Sequence, residues 1–145
     1  MKRKFLLLVL VVFLILTLVG CKIIPPCCTE GMRAEQEVYS YWRAITNRQY
    51  ELAKWHCITG GIWYNKVDEW EEYINNNSEG EASILISESH FYKQTEVVGD
   101  VAIVYATIYA DKTDFPSSGT IHVDTFEYEI ELIKETFPPG DWKLK

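Results

Sequence analysis

Basic residues are scarce in this chain once its first few positions are set aside. Of the 14 Lys and Arg, three (Lys2, Arg3, Lys4) open the sequence; beyond residue 20 there remain 11 against 21 Asp and Glu, a net charge of −10. That balance argues against nucleic-acid binding, whose affinity comes largely from neutralised phosphates. It also argues against electrostatic attraction to anionic lipid, and it suits an exported domain kept soluble by its charge. No glycine-rich phosphate loop, nucleophile elbow or His-Glu-x-x-His zinc motif is present. Internal repeats are lacking. The longest apolar run, Phe5 to Val19, falls short of the roughly 20 residues needed to cross a bilayer.

What the N-terminus does have is a basic start, that short apolar run, and then Leu18-Val19-Gly20-Cys21. A charged segment, an apolar segment and small residues before a cut site describe a secretory signal. Ending on Leu-Val-Gly-Cys, the segment resembles a bacterial lipoprotein signal. The resemblance implies that residues 1–20 are removed and that Cys21 carries a diacylglyceryl thioether. The protein would then be lipid-anchored in the cell membrane, facing outside the cytoplasm. The competing reading is an uncleaved N-terminal anchor. Either way the basic end stays cytoplasmic and the rest is exported. Residues 21–29 follow as the lipidated cysteine and a tether, whose Pro25-Pro26 favours extended chain.

Besides Cys21 there are Cys27, Cys28 and Cys57. An oxidising compartment permits a disulfide. A bridge from Cys27 or Cys28 to Cys57 would close about thirty residues and contribute on the order of 3 kcal/mol. A metal site from Cys27, Cys28, His56 and Cys57 is disfavoured, because adjacent cysteines lack the spacer of structural zinc sites. No cofactor is indicated.

Residues 30–145 read as one domain with its own core. Glu30 to Asn47 is helical, with Val38, Trp42 and Ile45 on one stripe and Thr29 as N-cap. Tyr50 to Cys57 reads as a shorter helix stopped by Gly60-Gly61. A third helix runs from between Ile62 and Lys66 to about Asn75; Trp63, Val67, Trp70 and Ile74 form its stripe, and Asn65 is its expected cap. After Gly80 the period changes to two. Strands are expected at Ser83 to Val98, Val101 to Ala110, Thr120 to Thr136 and Asp141 to Leu144, with Gly99-Asp100 as a two-residue turn. In the third strand, Phe126, Tyr128, Ile130 and Leu132 should face the helices, and Thr125, Glu127, Glu129 and Glu131 water. The second strand is apolar on both faces. It should be central, or its outer face around Ile103, Tyr105 and Tyr109 should meet another subunit.

The fold class is therefore α+β: three N-terminal helices packed into a strongly curved antiparallel sheet of about four strands, cone-like in form. Within it, Glu37 to Ala53 resembles the first helix, polar break and second helix of nuclear-transport-factor-2-like (cystatin-like) proteins. Gly140-Asp141-Trp142-Lys143-Leu144 resembles their last strand. That superfamily holds isomerases, cyclases, dehydratases, transport adaptors and inert scaffolds, so the resemblance implies a fold and not one activity.

The candidate catalytic constellation is His122 with Asp124, two residues apart and expected on the face of Phe126, at the mouth of the cone. His90, with Glu88 and Tyr92, is a second candidate group, and Tyr105 and Tyr109 are candidate phenol donors. Against this stands a simpler reading, in which His122 and Asp124 are solvated at a strand end. The favoured function is thus a non-catalytic, membrane-anchored binding or interaction module. Its partners would be the bilayer through Cys21, and a small apolar ligand, a peptide or an envelope protein, or a second copy through the sheet. The alternative is an envelope enzyme of the isomerase/dehydratase type using the His122/Asp124 mouth.

Overall fold

A computed structural model describes residues 29–78, 83–114, 119–136 and 141–145, with side chains from 83–90, 114 and 119–122 outside the description. Three helices, α1 (Glu30–Thr46), α2 (Tyr50–Trp55) and α3 (Ile62–Asn77), precede four strands. These are β1 (Ser83–Val98), β2 (Val101–Asp114), β3 (Gly119–Lys134) and β4 (Trp142–Leu144), joined in one antiparallel sheet in the order β1-β2-β3-β4. The arrangement is α+β, and the sheet is open. Among the described residues no helix is long and apolar enough to cross a membrane.

Each helix ends for a local or a long-range reason. Thr29 caps α1, accepting from Met32 N at 3.2 Å. At the other end Arg48 N bonds Ile45 O and Gln49 N bonds Ala44 O, both at 2.9 Å, with Arg48 at φ 56°. That is a Schellman closure with arginine in the left-handed position usually given to glycine. Helix α2 stops at Trp55, two residues before the sequence expectation, because the next residues join the sheet. Cys57 forms a parallel bridge with Leu144, Leu144 N bonds His56 O at 3.1 Å, and Ile58 N bonds Leu144 O at 2.8 Å. Helix α3 is capped by Gly61 rather than by the expected Asn65. Its free N–H of Trp63 reaches Lys145 O at 3.4 Å, so distant backbone does the work of a capping side chain. A Cβ at Gly61 would sit 2.9 Å from the Lys145 carbonyl carbon, which explains the glycine there.

The expected Gly99-Asp100 turn is present, with Gly99 at φ 63°. Strand β2 occupies an interior place, and its even positions Ala102, Val104, Ala106, Ile108 and Ala110 are all fully buried against the helices. Ile130 and Leu132 of β3 join them, Phe126 and Tyr128 are partly buried on the same core, and Glu127 and Glu129 are exposed. The facing expected for β3 holds from Thr125 to Leu132.

Curvature enters through register slips. Strand β1 slips against β2 three times, between Ser87 and His90, Phe91 and Lys93, and Lys93 and Glu96. A further slip lies between the pairs Ala110–Asp124 and Asp111–His122. Each slip is a bulge that bends and twists the long strands. On the outer face Tyr105 is not bare. Lys93 Nζ stands 4.1 Å over its ring, Tyr92 packs edge-on at 5.9 Å, and its hydroxyl donates to Glu96 at 3.2 Å. The patch read as a subunit contact is thus covered at its centre by the chain's own β1.

Candidate functional site

The stripes of α1 and α3 bring an aromatic cluster onto the concave face of β3. Trp42 meets Tyr41, Trp63 and Trp70 edge-on at 5.0, 6.0 and 5.1 Å and stacks on Tyr128 at 5.9 Å. Trp70 and Tyr73 stand edge-on to Phe126 at 5.1 and 5.8 Å. Phe126 and Tyr128, two residues apart, stack nearly parallel at 6° with centroids 6.3 Å apart. Edge-on and offset contacts of this kind satisfy the ring quadrupoles while excluding water.

The outer part of this cluster is a cleft of about 170 Å³ lined by Lys66, Glu69, Trp70, Tyr73, Phe126 and Tyr128. That volume accepts one aromatic ring or a branched aliphatic group. Its polar rim is paired within itself. The Tyr73 hydroxyl donates to Asp124 Oδ2 at 2.5 Å, and Lys66 lies 3.7 Å from Glu69 and 5.4 Å over the Tyr128 ring. Burial, then the bond to Asp124 and its charge, raise the Tyr73 phenol above its ordinary range. The phenol therefore stays protonated near neutral pH, its hydroxyl turned to the carboxylate.

The residues proposed from sequence are placed as follows. Asp124 is at the cleft rim, exposed, and engaged with Tyr73. Its backbone partner is Ala110, an inward position of β2, whereas the partner of His122 is Asp111, on the alternate set. A register slip thus lies at Val123, between the pairs that carry the two residues. His90 pairs with Thr107, again on the alternate set of β2. The side chains of His90, Glu88 and His122 lie outside the description, as do residues Cys21, Cys27 and Cys28. Among the described residues no three His, Cys, Asp or Glu side chains gather closely enough to hold a metal.

Lys66, Glu69 and Tyr73 were not singled out from sequence as site residues. Their positions around Trp70, four before, one before and three after, carried the signal: they flank the α3 stripe at helical spacing.

Cys57 lies in a second, wider hollow of about 440 Å³ with Trp55, Tyr64 and Lys143. It is a buried thiol, without a disulfide partner among the described residues, donating to Ala53 O at 3.4 Å. Burial, partly offset by Lys143, pushes it up to about 12, so it is no nucleophile at neutral pH. His56 Nδ1 and Glu37 Oε1, 2.7 Å apart, form a half-buried tie between α1 and the turn after α2. Lys143 is 7% exposed, hydrogen-bonded to Trp55 O at 2.6 Å and stacked 3.6 Å from the Trp55 ring. These contacts read as structural.

No family model matches this chain, and no curated protein does. Among solved structures it is similar to a protein of unknown function from Mycobacterium tuberculosis, with a TM-score of 0.56 and 17% identity. The match takes in 78% of this chain and 66% of the other, just under two thirds of its length. At that identity the likeness concerns the fold alone.

Proposed function

We propose that this chain is an exported lipoprotein, anchored through acylated Cys21, whose folded domain is a non-catalytic binding module. Its site is the aromatic cleft of Trp70, Tyr73, Phe126 and Tyr128, and its ligand is a single apolar ring or side chain, presented by a small molecule, a peptide or a neighbouring envelope protein. The observation that carries the reading is the rim chemistry. The groups that could move protons, Tyr73 with Asp124 and Lys66 with Glu69, are paired with one another, while the cleft floor is aromatic. Such a site gains from excluding water around an apolar group. The resemblance to nuclear-transport-factor-2-like proteins is compatible with this, since that superfamily includes inert scaffolds and adaptors.

Two measurements test it. Native mass spectrometry of the lipid-free domain, purified from its own host, should show a co-purifying apolar species, and Phe126→Ala should abolish its retention. Equal retention by the variant would place the ligand elsewhere. Replacing Cys21 by Ser should move the protein from the membrane to the soluble fraction. A chain that stays membrane-bound at the uncleaved mass overturns the lipid anchor.

A further inference from the structure

Three of the exposed apolar side chains stand together at the end of the domain where α1 begins. Val98 is 80% exposed, Val97 and Val101 are 36% and 38% exposed, and together they flank Gly99-Asp100 at the tip of the β1–β2 hairpin. This tip is tied to the start of α1 through Lys134. The Lys134 N–H donates to Asp100 O at 2.9 Å, and its ammonium reaches Glu30 Oε2, also at 2.9 Å. Further along the same seam Thr95 bonds Glu35 at 2.5 Å, and Gly31 lies against the Thr95 side chain. Met32, half exposed, adds a further apolar side chain near that end. Hairpin tip and first helical turn therefore form one rigid end.

Resting on the lipoprotein reading above, we propose that this end is a membrane-contact surface, with Val97, Val98 and Val101 seated at the headgroup level of the bilayer that holds Cys21. Eight backbone steps separate Cys21 from Thr29, so the tether reaches at most about 28 Å. Strand β2 alone, Val101–Asp114, spans roughly 40 Å or more at its usual rise. With α1 beginning beside the hairpin tip, the opposite end of the sheet cannot turn down to the bilayer on so short a leash. Between an upright and a side-lying posture, chemistry decides. The outer sheet face presents Glu127 and Glu129 to solvent, and the tip presents valines. Asp100, between the valines, limits the contact to the interface and makes it independent of anionic lipid. Lys134, the adjacent cation, is already spent on Glu30.

The posture has a functional corollary. Asp124 at the cleft rim pairs with Ala110, nine residues along β2 from Val101, or about 30 Å away along the strand. The domain would stand with its aromatic cleft turned from the lipid surface toward the aqueous space.

The test uses the full lipidated chain in phosphatidylcholine nanodiscs, with a photo-crosslinking benzoylphenylalanine replacing Val98 or, as control, Glu129. Circular dichroism establishes that both variants are folded. Illumination should leave a phospholipid adduct on the peptide carrying position 98 and none on that carrying 129, unchanged when phosphatidylserine is added. No adduct at 98, equal adducts at both positions, or a crosslink from 98 to a second copy overturns the proposal. The mass of the N-terminal peptide separates this from the broader reading. A diacylated Cys21 without a tip adduct overturns the membrane contact alone; an unmodified Cys21 overturns both.

Discussion

The phenol of Tyr73 donates to the carboxylate of Asp124, at 2.5 Å and across 51 residues of sequence, and this bond fixes α3 against β3 at the rim of the aromatic cleft. Both groups are reachable by water, so the bond is worth less than a buried charge-assisted one. Tyr73→Phe is expected to cost about 1 kcal/mol. In a double-mutant cycle with Asp124→Asn, urea unfolding should show the two losses failing to add. Additive losses would mean that the bond does not persist in solution.

Alkaline pH should unfold this protein sooner than its carboxylates would suggest. Burial raises the phenols of Tyr41, Tyr50, Tyr73 and Tyr128 above the ordinary value of 10.0, with the Asp124 bond adding to Tyr73. A raised folded value means that the native state holds protons which the unfolded state releases. The stabilisation is complete below about pH 10 and is lost as pH rises further. Tyrosinate absorbance at 295 nm should rise together with the loss of circular dichroism. Smooth titration of all the tyrosines in a still-folded chain would contradict this.

Two tryptophans of opposite burial should behave differently. Trp42 is 3% exposed and touches four rings of the cluster, so Trp42→Ala should cost about 3–5 kcal/mol. Its indole N–H has no hydrogen-bond partner among the described residues, so Trp42→Phe should cost distinctly less. Trp55 is 62% exposed and covers Lys143 through one cation–π contact, and Trp55→Ala should cost about 0.5–1 kcal/mol. Thermal denaturation ranks the three.

Arg48 at φ 56° occupies the one left-handed position that a side chain fills among the described residues. Arg48→Gly should stabilise the domain by about 1 kcal/mol, because the Schellman closure keeps its backbone bonds while the Cβ strain disappears. The exposed contact of Arg48 with Ser78 at 3.2 Å is the small offset. A lower melting temperature for the variant would show that this contact outweighs the strain.

The Cys57 thiol, raised from 9.0 to about 12, should react with iodoacetamide roughly a thousandfold more slowly at pH 8 than an ordinary thiol. Mass spectrometry of the peptide containing Cys57 follows the rate, and denaturant should restore it. Fast alkylation in the native state would mean that the α2–α3 turn opens readily.

Much of the fold was legible because its signals are local. The Trp63, Val67, Trp70, Ile74 stripe, the Thr29 cap and the Gly99-Asp100 turn each announce themselves within a few residues, and each is where the pattern put it. What was not legible depends on residues far away. Helix α3 begins before Asn65 because the Lys145 carbonyl meets Trp63 N, and α2 ends before Cys57 because Leu144 claims the backbone there. The site suffered most from one bulge. Val123 carries no mark of an extra residue, yet the register of β3 against β2 slips beside it, between His122 and Asp124. The cleft itself was half legible: the stripe holding Trp63 and Trp70 and the helix-facing Phe126 were expected, while the rim formed by Lys66, Glu69 and Tyr73 needed the third dimension.

The three slips along β1 have a consequence beyond curvature. β1 is the long free edge of the sheet, and a straight edge of sixteen residues would offer its backbone to a neighbouring chain as a template. Under the lipid anchoring proposed above, copies would meet one another in two dimensions, at local densities that dilute solution never reaches. An edge whose register is broken every few residues cannot zip with a copy of itself, so lateral crowding brings such domains side by side without fusing them into fibrils.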